Sequence, residues 1–95
     1  MSILEQEEIQ RRLAALPEWS TDGESLIREY SAADFPAAIA LVDRVAVVAE
    51  EVGHHPDIDV RWRTVTFRLS THSAGGITEA DVEMAGRVEG VIGAA

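Results

Sequence analysis

The sequence predicts an α+β domain in two layers, a four-stranded antiparallel sheet with three helices on one face, in the order α-β-β-α-β-β-α. Three observations lead there. Apolar residues return every three or four positions in three stretches, over residues 3–16, 34–52 and from Thr78 through Ile92. Short strand-like runs fill the intervals between these stretches, two to each interval. Strand pairs separated by single helices build one antiparallel sheet with the helices packed to one side.

The elements follow in order. Ser2-Ile3-Leu4-Glu5 has capping-box spacing, and Leu4, Ile9, Leu13 and Leu16 recur at helical intervals until Pro17 stops the helix, which gives a first helix over residues 3–16. After Trp19, Asp22-Gly23 offers a turn with a residue suited to positive φ, and Leu26 to Tyr30 supplies the returning strand of a hairpin. Asp34 before Phe35-Pro36 is a helix start. Phe35, Ile39, Val42, Val45, Ala49 and Val52 then carry that second helix to its end at Gly53, and Pro56 pushes His55 toward an extended conformation.

Ile58, Val60 and Trp62 alternate with charged residues, as do Val65, Phe67 and Leu69 with Thr66, Arg68 and Ser70, which predicts a second hairpin. The parity of the apolar positions changes near Trp62 to Thr64 without the Asn-Gly chemistry that a tight hairpin prefers, so the boundary between the two strands is placed only to within a few residues. Thr78-Glu79-Ala80-Asp81 opens the third helix as a capping box, Ile77 and Val82 have staple spacing, and Ala85, Val88 and Ile92 carry the buried stripe.

Ninety-five residues with 46% hydrophobic content are expected to form a single domain over residues 1–95. No run approaches the ~18 apolar residues of a membrane span, so the expected location is cytoplasmic. The absence of cysteine removes disulfides, thiolate nucleophiles and sulfur-based zinc sites. A formal charge of -9, with eight basic residues and no basic run beyond Arg11-Arg12, argues against direct nucleic-acid binding.

What chemistry remains lies with histidine and carboxylates. His54, His55 and His72 fall within one stretch, with Glu50, Glu51, Asp57 and Asp59 beside the first two. Histidine gives and takes protons near neutrality, and the bland counterpart is a pair of surface histidines at the negative end of a helix dipole. A metal is not expected. Glu51 and His54 have Glu-x-x-His spacing, but it occurs once, with Gly53 ending the helix inside it, and His54 and His55 would point to opposite sides of an extended segment. Asp81 reads first as the cap of the third helix. Trp19 and Trp62 read as core or rim residues that a flat heteroaromatic ligand could also use.

The spacing itself is specific: Glu50, three residues, His54-His55-Pro56, five residues, Trp62, nine residues, His72, eight residues, Asp81. With Trp19, Arg44-Val45-Ala46, Ala49-Glu50 and Leu69-Ser70-Thr71-His72, it resembles the pterin-4a-carbinolamine dehydratases over nearly the whole chain. The sequence departs from that pattern in Asp57–Arg61, which lacks the Asn and Tyr of many relatives, and at Ser73, where many have an acidic residue. Both departures bear on the rim of the pocket.

The resemblance implies a dehydratase that eliminates water from a 4a-hydroxytetrahydropterin without metal or cofactor. It implies His54 and His72 as acid and base in an order left open, His55 shaping the pocket or sharing the role, and Glu50 orienting an imidazole. Pro56, Thr71, Ser73 and Trp19 are the candidate pterin contacts, with Trp62 and Asp81 as signature positions. The alternative is a non-catalytic pterin-binding module or a protein-interaction module such as the dimerisation cofactor known in animal relatives.

The second helix carries one more expectation. Residues 37–49 hold only two charges, Asp43 and Arg44, so its apolar surface exceeds what one sheet can cover. This predicts a homodimer or homotetramer through helix 34–52, with Ala38 and Val47 both candidate seam positions, as the family's dimers and tetramers also imply.

Overall fold

The computed structural model describes residues 2–94 and has the predicted order: α1 (Gln6–Leu13), β1 (Ser20–Thr21), β2 (Leu26–Ser31), α2 (Phe35–Val52), β3 (Asp57–Arg61), β4 (Thr64–Leu69) and α3 (Glu79–Gly93). The four strands form one antiparallel sheet in the order β1-β2-β4-β3. Register explains its two faces. Leu26 pairs with Leu69, Arg28 with Phe67 and Tyr30 with Val65, while Ile58 and Val60 of β3 stand opposite Phe67 and Val65. Side chains alternate along a strand, so these residues share one face, and Val65, Phe67, Leu69 and Leu26 are fully buried there. The same face receives Ala38, Leu41, Val45 and Ala49 from α2 and Met84, Ala85, Val88 and Ile92 from α3. The opposite face carries Glu29, Asp59, Arg61, Thr64, Thr66 and Arg68, so all helices lie on one side.

Arg28 is a charged residue on the apolar face, only 9% exposed. Its guanidinium pairs with Glu89 of α3, whose carboxylate also accepts the indole N–H of Trp19 at 2.9 Å. A charge leaves water only when its hydrogen bonds are replaced, and this trio replaces them while joining β2, α3 and the segment before β1.

Two boundaries differ from expectation. The first helix spans Gln6–Leu13 rather than 3–16, because Leu4 N–H donates to the carbonyl of Ile77 at 2.8 Å and draws residues 3–4 alongside the entry to α3. The Ser2–Glu5 capping box therefore does not form, and Glu5 is the N-cap without a side-chain cap bond. Beyond Leu13 the chain tightens into i to i−3 bonds through Leu16. Trp62 lies in the two-residue turn between β3 and β4 rather than in a strand, at φ 54 and 72% exposed. Its position is where the parity of the apolar pattern changes.

Other ends follow the local chemistry. Asp22 accepts the N–H groups of Glu24 and Ser25 at 2.9 and 2.8 Å, and these bonds hold its carboxyl below the usual carboxylate range. The side chain of Asp34 caps α2 through Ala37 N–H at 2.8 Å. At the far end Gly53 turns left-handed at φ 75, and both its N–H and that of His54 return to the carbonyl of Ala49. No helix among the described residues is long and apolar enough to cross a membrane.

Gly53 gives a direct test of this architecture. Nothing lies within 4 Å of a Cβ added there, so a side chain meets only the backbone cost of the left-handed region. Gly53→Ala is expected to destabilise by about 1–2 kcal/mol in urea denaturation, and Gly53→Asn by less. Equal stability of the alanine variant and the parent would show that this turn does not constrain the chain.

Candidate active site

The left-handed turn at Gly53 is followed by two adjacent histidines, and their rings leave in different directions. His54 turns inward, its side chain 18% exposed, with Nε2 2.6 Å from Oδ1 of Asp81. His55 turns outward and places Nε2 2.7 Å from Oε1 of Glu50 in the last turns of α2. The expectation that Glu50 orients an imidazole thus finds its partner in His55, and both members of that pair are exposed.

Asp81 has no exposure to water. As third residue of α3 and the closing member of the capping box it accepts Thr78 N–H on Oδ2 at 2.8 Å, and the same oxygen accepts the hydroxyl of Thr71, also at 2.8 Å. Its other oxygen faces His54. A capping box requires only one carboxylate oxygen, so the second is available to a neighbour, and that is the signal that sequence reasoning could have used to pair Asp81 with a histidine. Thr78, absent from the sequence candidates, joins the group through its hydroxyl, 2.7 Å from that of Thr71.

Thr71 also governs the loop that carries His72. Its N–H donates to the carbonyl of Gly76 at 2.9 Å, and its carbonyl accepts from Ala74 and Gly75 at 3.0 and 2.9 Å. The result is a compact turn, with Gly75 at φ 80, on which His72 and Ser73 are exposed. The structure therefore brings together His54, Asp81 and Thr71, with His72 next in chain to Thr71. Pro56 is half-buried and leads the chain from the histidines into β3.

The tryptophans stand apart from this group. Trp19 is 5% exposed, packed in the core with its N–H on Glu89. Trp62 lies at the far end of β3, its ring 5.1 Å from the guanidinium of Arg63.

A cleft of about 520 Å³ opens beside His54, lined also by Glu51, Val52, Gly53, Glu79, Ala80, Glu83 and Arg87. Arg12 of α1 donates to Glu79 at 2.7 Å, which holds the Glu79 carboxyl below its ordinary range and raises the Arg12 guanidinium. A hollow of about 580 Å³ on the outer face of the sheet, between Glu29, Asp59, Arg61 and Arg68, contains none of the candidate site residues. Among the described residues, no three His, Asp or Glu side chains gather in a way that could hold a metal ion.

The chain is similar to known proteins of one family. Residues 2–91 match the family model described as pterin 4 alpha carbinolamine dehydratase. A relative from Nocardia farcinica, named "Putative pterin-4-alpha-carbinolamine dehydratase", is 56% identical over 87 residues, covering 92% of each chain. One of the same name from Mycobacteroides abscessus is 50% identical over 93 residues, covering 98% of this chain and 99% of its own. The crystal structure of a transcriptional coactivator/pterin dehydratase from Brucella melitensis superposes with a TM-score of 0.88 at 33% identity, over 95% of this chain and 98% of that one. A pterin dehydratase-like RuBisCO assembly factor of the alpha-carboxysome shares the fold, with a TM-score of 0.65 at 24% identity over 79% of this chain and 87% of its own.

The burial pattern separates stability from exposure within the site. Asp81→Ala strands the hydroxyl of Thr71 and the N–H of Thr78 and removes a cap, so it is expected to cost at least about 3 kcal/mol. His72→Ala removes an exposed loop side chain and is expected to stay within about 0.5 kcal/mol of the parent. Chemical denaturation of both variants checks this, and equal losses would contradict it.

Proposed function

The chain belongs to the pterin 4 alpha carbinolamine dehydratase family, and on that footing we propose that it removes water from a 4a-hydroxytetrahydropterin by histidine acid-base catalysis. The product is the quinonoid dihydropterin. In this elimination the C4a–O bond breaks as the lone pair of the adjacent ring nitrogen forms a C=N bond. That nitrogen loses its proton, and the departing hydroxyl gains one and leaves as water. Hydroxide is a poor leaving group, so one group must donate while another accepts.

The observation that carries the reading is the His54–Asp81 pair: a ring at the edge of a cleft, held at 2.6 Å by a carboxylate that water does not reach. A carboxylate behind an imidazole fixes the orientation of the ring and stabilises the imidazolium formed when it takes a proton. His72, on the loop set by Thr71, supplies the second proton handler. His55, tied to Glu50, borders them. Pro56 and the backbone of the turn holding Ser73 are the candidate contacts for the pterin.

A second observation supports self-association. α2 leaves Phe35, Ile39 and Val47 exposed by 49%, 39% and 60%. Apolar surface of this kind on a helix already packed against a sheet is covered most simply by a second copy of the chain, and we assign the homo-oligomer seam to it. Ala38 is fully buried inside the protomer, which removes it from the seam and leaves Val47 as the position to test.

Two experiments check these readings. Dehydration of chemically generated 4a-hydroxytetrahydropterin should be accelerated by the protein. His54→Gln, which keeps an N–H for Asp81, and His72→Ala should each lower that rate by roughly 10²-fold. Full activity in both variants would leave a binding module as the better reading. Light scattering at micromolar concentration should give an oligomeric mass that Val47→Glu reduces, and a monomeric parent would remove the proposed seam.

A further inference from the structure

The hydrogen-bond directions around Asp81 determine which nitrogen of His54 is free to react. The hydroxyl of Thr71 has one proton, and it lies on Oδ2 of Asp81. The contact of 2.7 Å between Thr71 and Thr78 hydroxyls must then be supplied by the proton of Thr78. Oδ2 also accepts Thr78 N–H, so one carboxylate oxygen is filled by two donors that cannot reverse. A carboxylate only accepts. The contact at Oδ1 therefore needs a hydrogen from the ring, on Nε2.

With Nε2 occupied, Nδ1 is the remaining nitrogen. Among the described residues no side-chain nitrogen or oxygen is both buried and unpartnered. Among the described residues Nδ1 of His54 has no hydrogen-bond partner, so it is in contact with solvent, on a residue that lines the cleft.

We infer that His54 is held in the Nε2–H tautomer and exchanges its proton with the pterin through Nδ1, and that Thr71 is the positioning residue for this arrangement, not a contact for the pterin. The inference rests on the proposed dehydration for its catalytic meaning, while the tautomer itself stands on geometry. Thr71 is 7% exposed, and its proton is committed to Asp81, which leaves the hydroxyl no proton to donate to a ligand. The same residue fixes the turn bearing His72 through four backbone bonds. One threonine thus sets the orientation of one histidine and the placement of another.

Two-bond ¹H–¹⁵N spectra of the full chain, taken where His54 is neutral, should show Nε2 as the protonated, pyrrole-type nitrogen and Nδ1 as the pyridine-type one. The reverse pattern overturns the assignment, whatever the enzyme assay gives. Thr71→Val, which keeps shape and removes the donor, should lower kcat by about tenfold with KM little changed, the size typical of losing an outer-shell orienting bond. Asp81 remains an acceptor in this variant, so the Nε2–H pattern of His54 should persist while its ring is held less firmly, and Thr71→Ser should restore kcat. A raised KM with unchanged kcat would make Thr71 a pterin contact and overturn the positioning role. A parent protein with no dehydratase activity but with the expected spectrum would refute the proposed reaction and leave the tautomer assignment standing. If Thr71→Val fails to fold, the parent spectrum and the kcat of Thr71→Ser still decide the matter, since a serine variant that folds but loses rate with the donor intact would refute the role assigned to the hydroxyl.

Discussion

One carboxylate with no access to water, Asp81, holds three parts of this molecule in register. It closes the first turn of α3, anchors Thr71 at the root of the 71–76 turn, and takes the ring of His54 as it leaves α2. Burying such a group without partners would oppose folding strongly, so each donor is required by the fold as much as by any chemistry. The consequence is that the position of His54 is not a separate adjustment made on a finished scaffold. It is fixed by the same contacts that let the helix begin.

A second polar junction plays a comparable part at the opposite end of the helix layer. Arg28, Glu89 and Trp19 cross the core boundary together and are satisfied by one another. Between the two junctions the packing is apolar, with Phe67 and Met84 among the fully buried side chains. Directional bonds at both ends restrict how α3 can slide on the sheet, where apolar contact alone would tolerate small shifts.

The fold is legible in the sequence because its strongest local signals agree. Asp34 and Gly53 bound α2 where the pattern places them, and the parity change around Trp62 marks the hairpin turn. Local spacing fails where a long-range bond competes: residues 3–4 have helical spacing, yet the amide of Leu4 belongs to Ile77. Arg28 is likewise unreadable in isolation, since a charge on an inward strand position makes sense only with Glu89 in place. The site divides in the same way. The clustering of His54 and His55 after a helix stop is visible in sequence, and so is the capping role of Asp81. Their union spans 27 positions and depends on how α3 docks, which no periodicity encodes. Trp19 shows the opposite case, an aromatic residue that a ligand could use and that the core uses instead.

The order of the strands also has a bearing on how the chain acquires its shape. Both hairpins and all three helices are local, but the centre of the sheet joins β2 to β4, with Leu26 against Leu69 and the whole of α2 lying between them in sequence. That ladder can close only after a long loop has been drawn in, at an entropic cost that local contacts do not repay until the strands meet. Central pairing thus carries the largest loop-closure cost in the sheet, and a helix formed in α2 before the strands meet would shorten the distance they must search. A domain rich in local structure in this way has its least local joint at its middle.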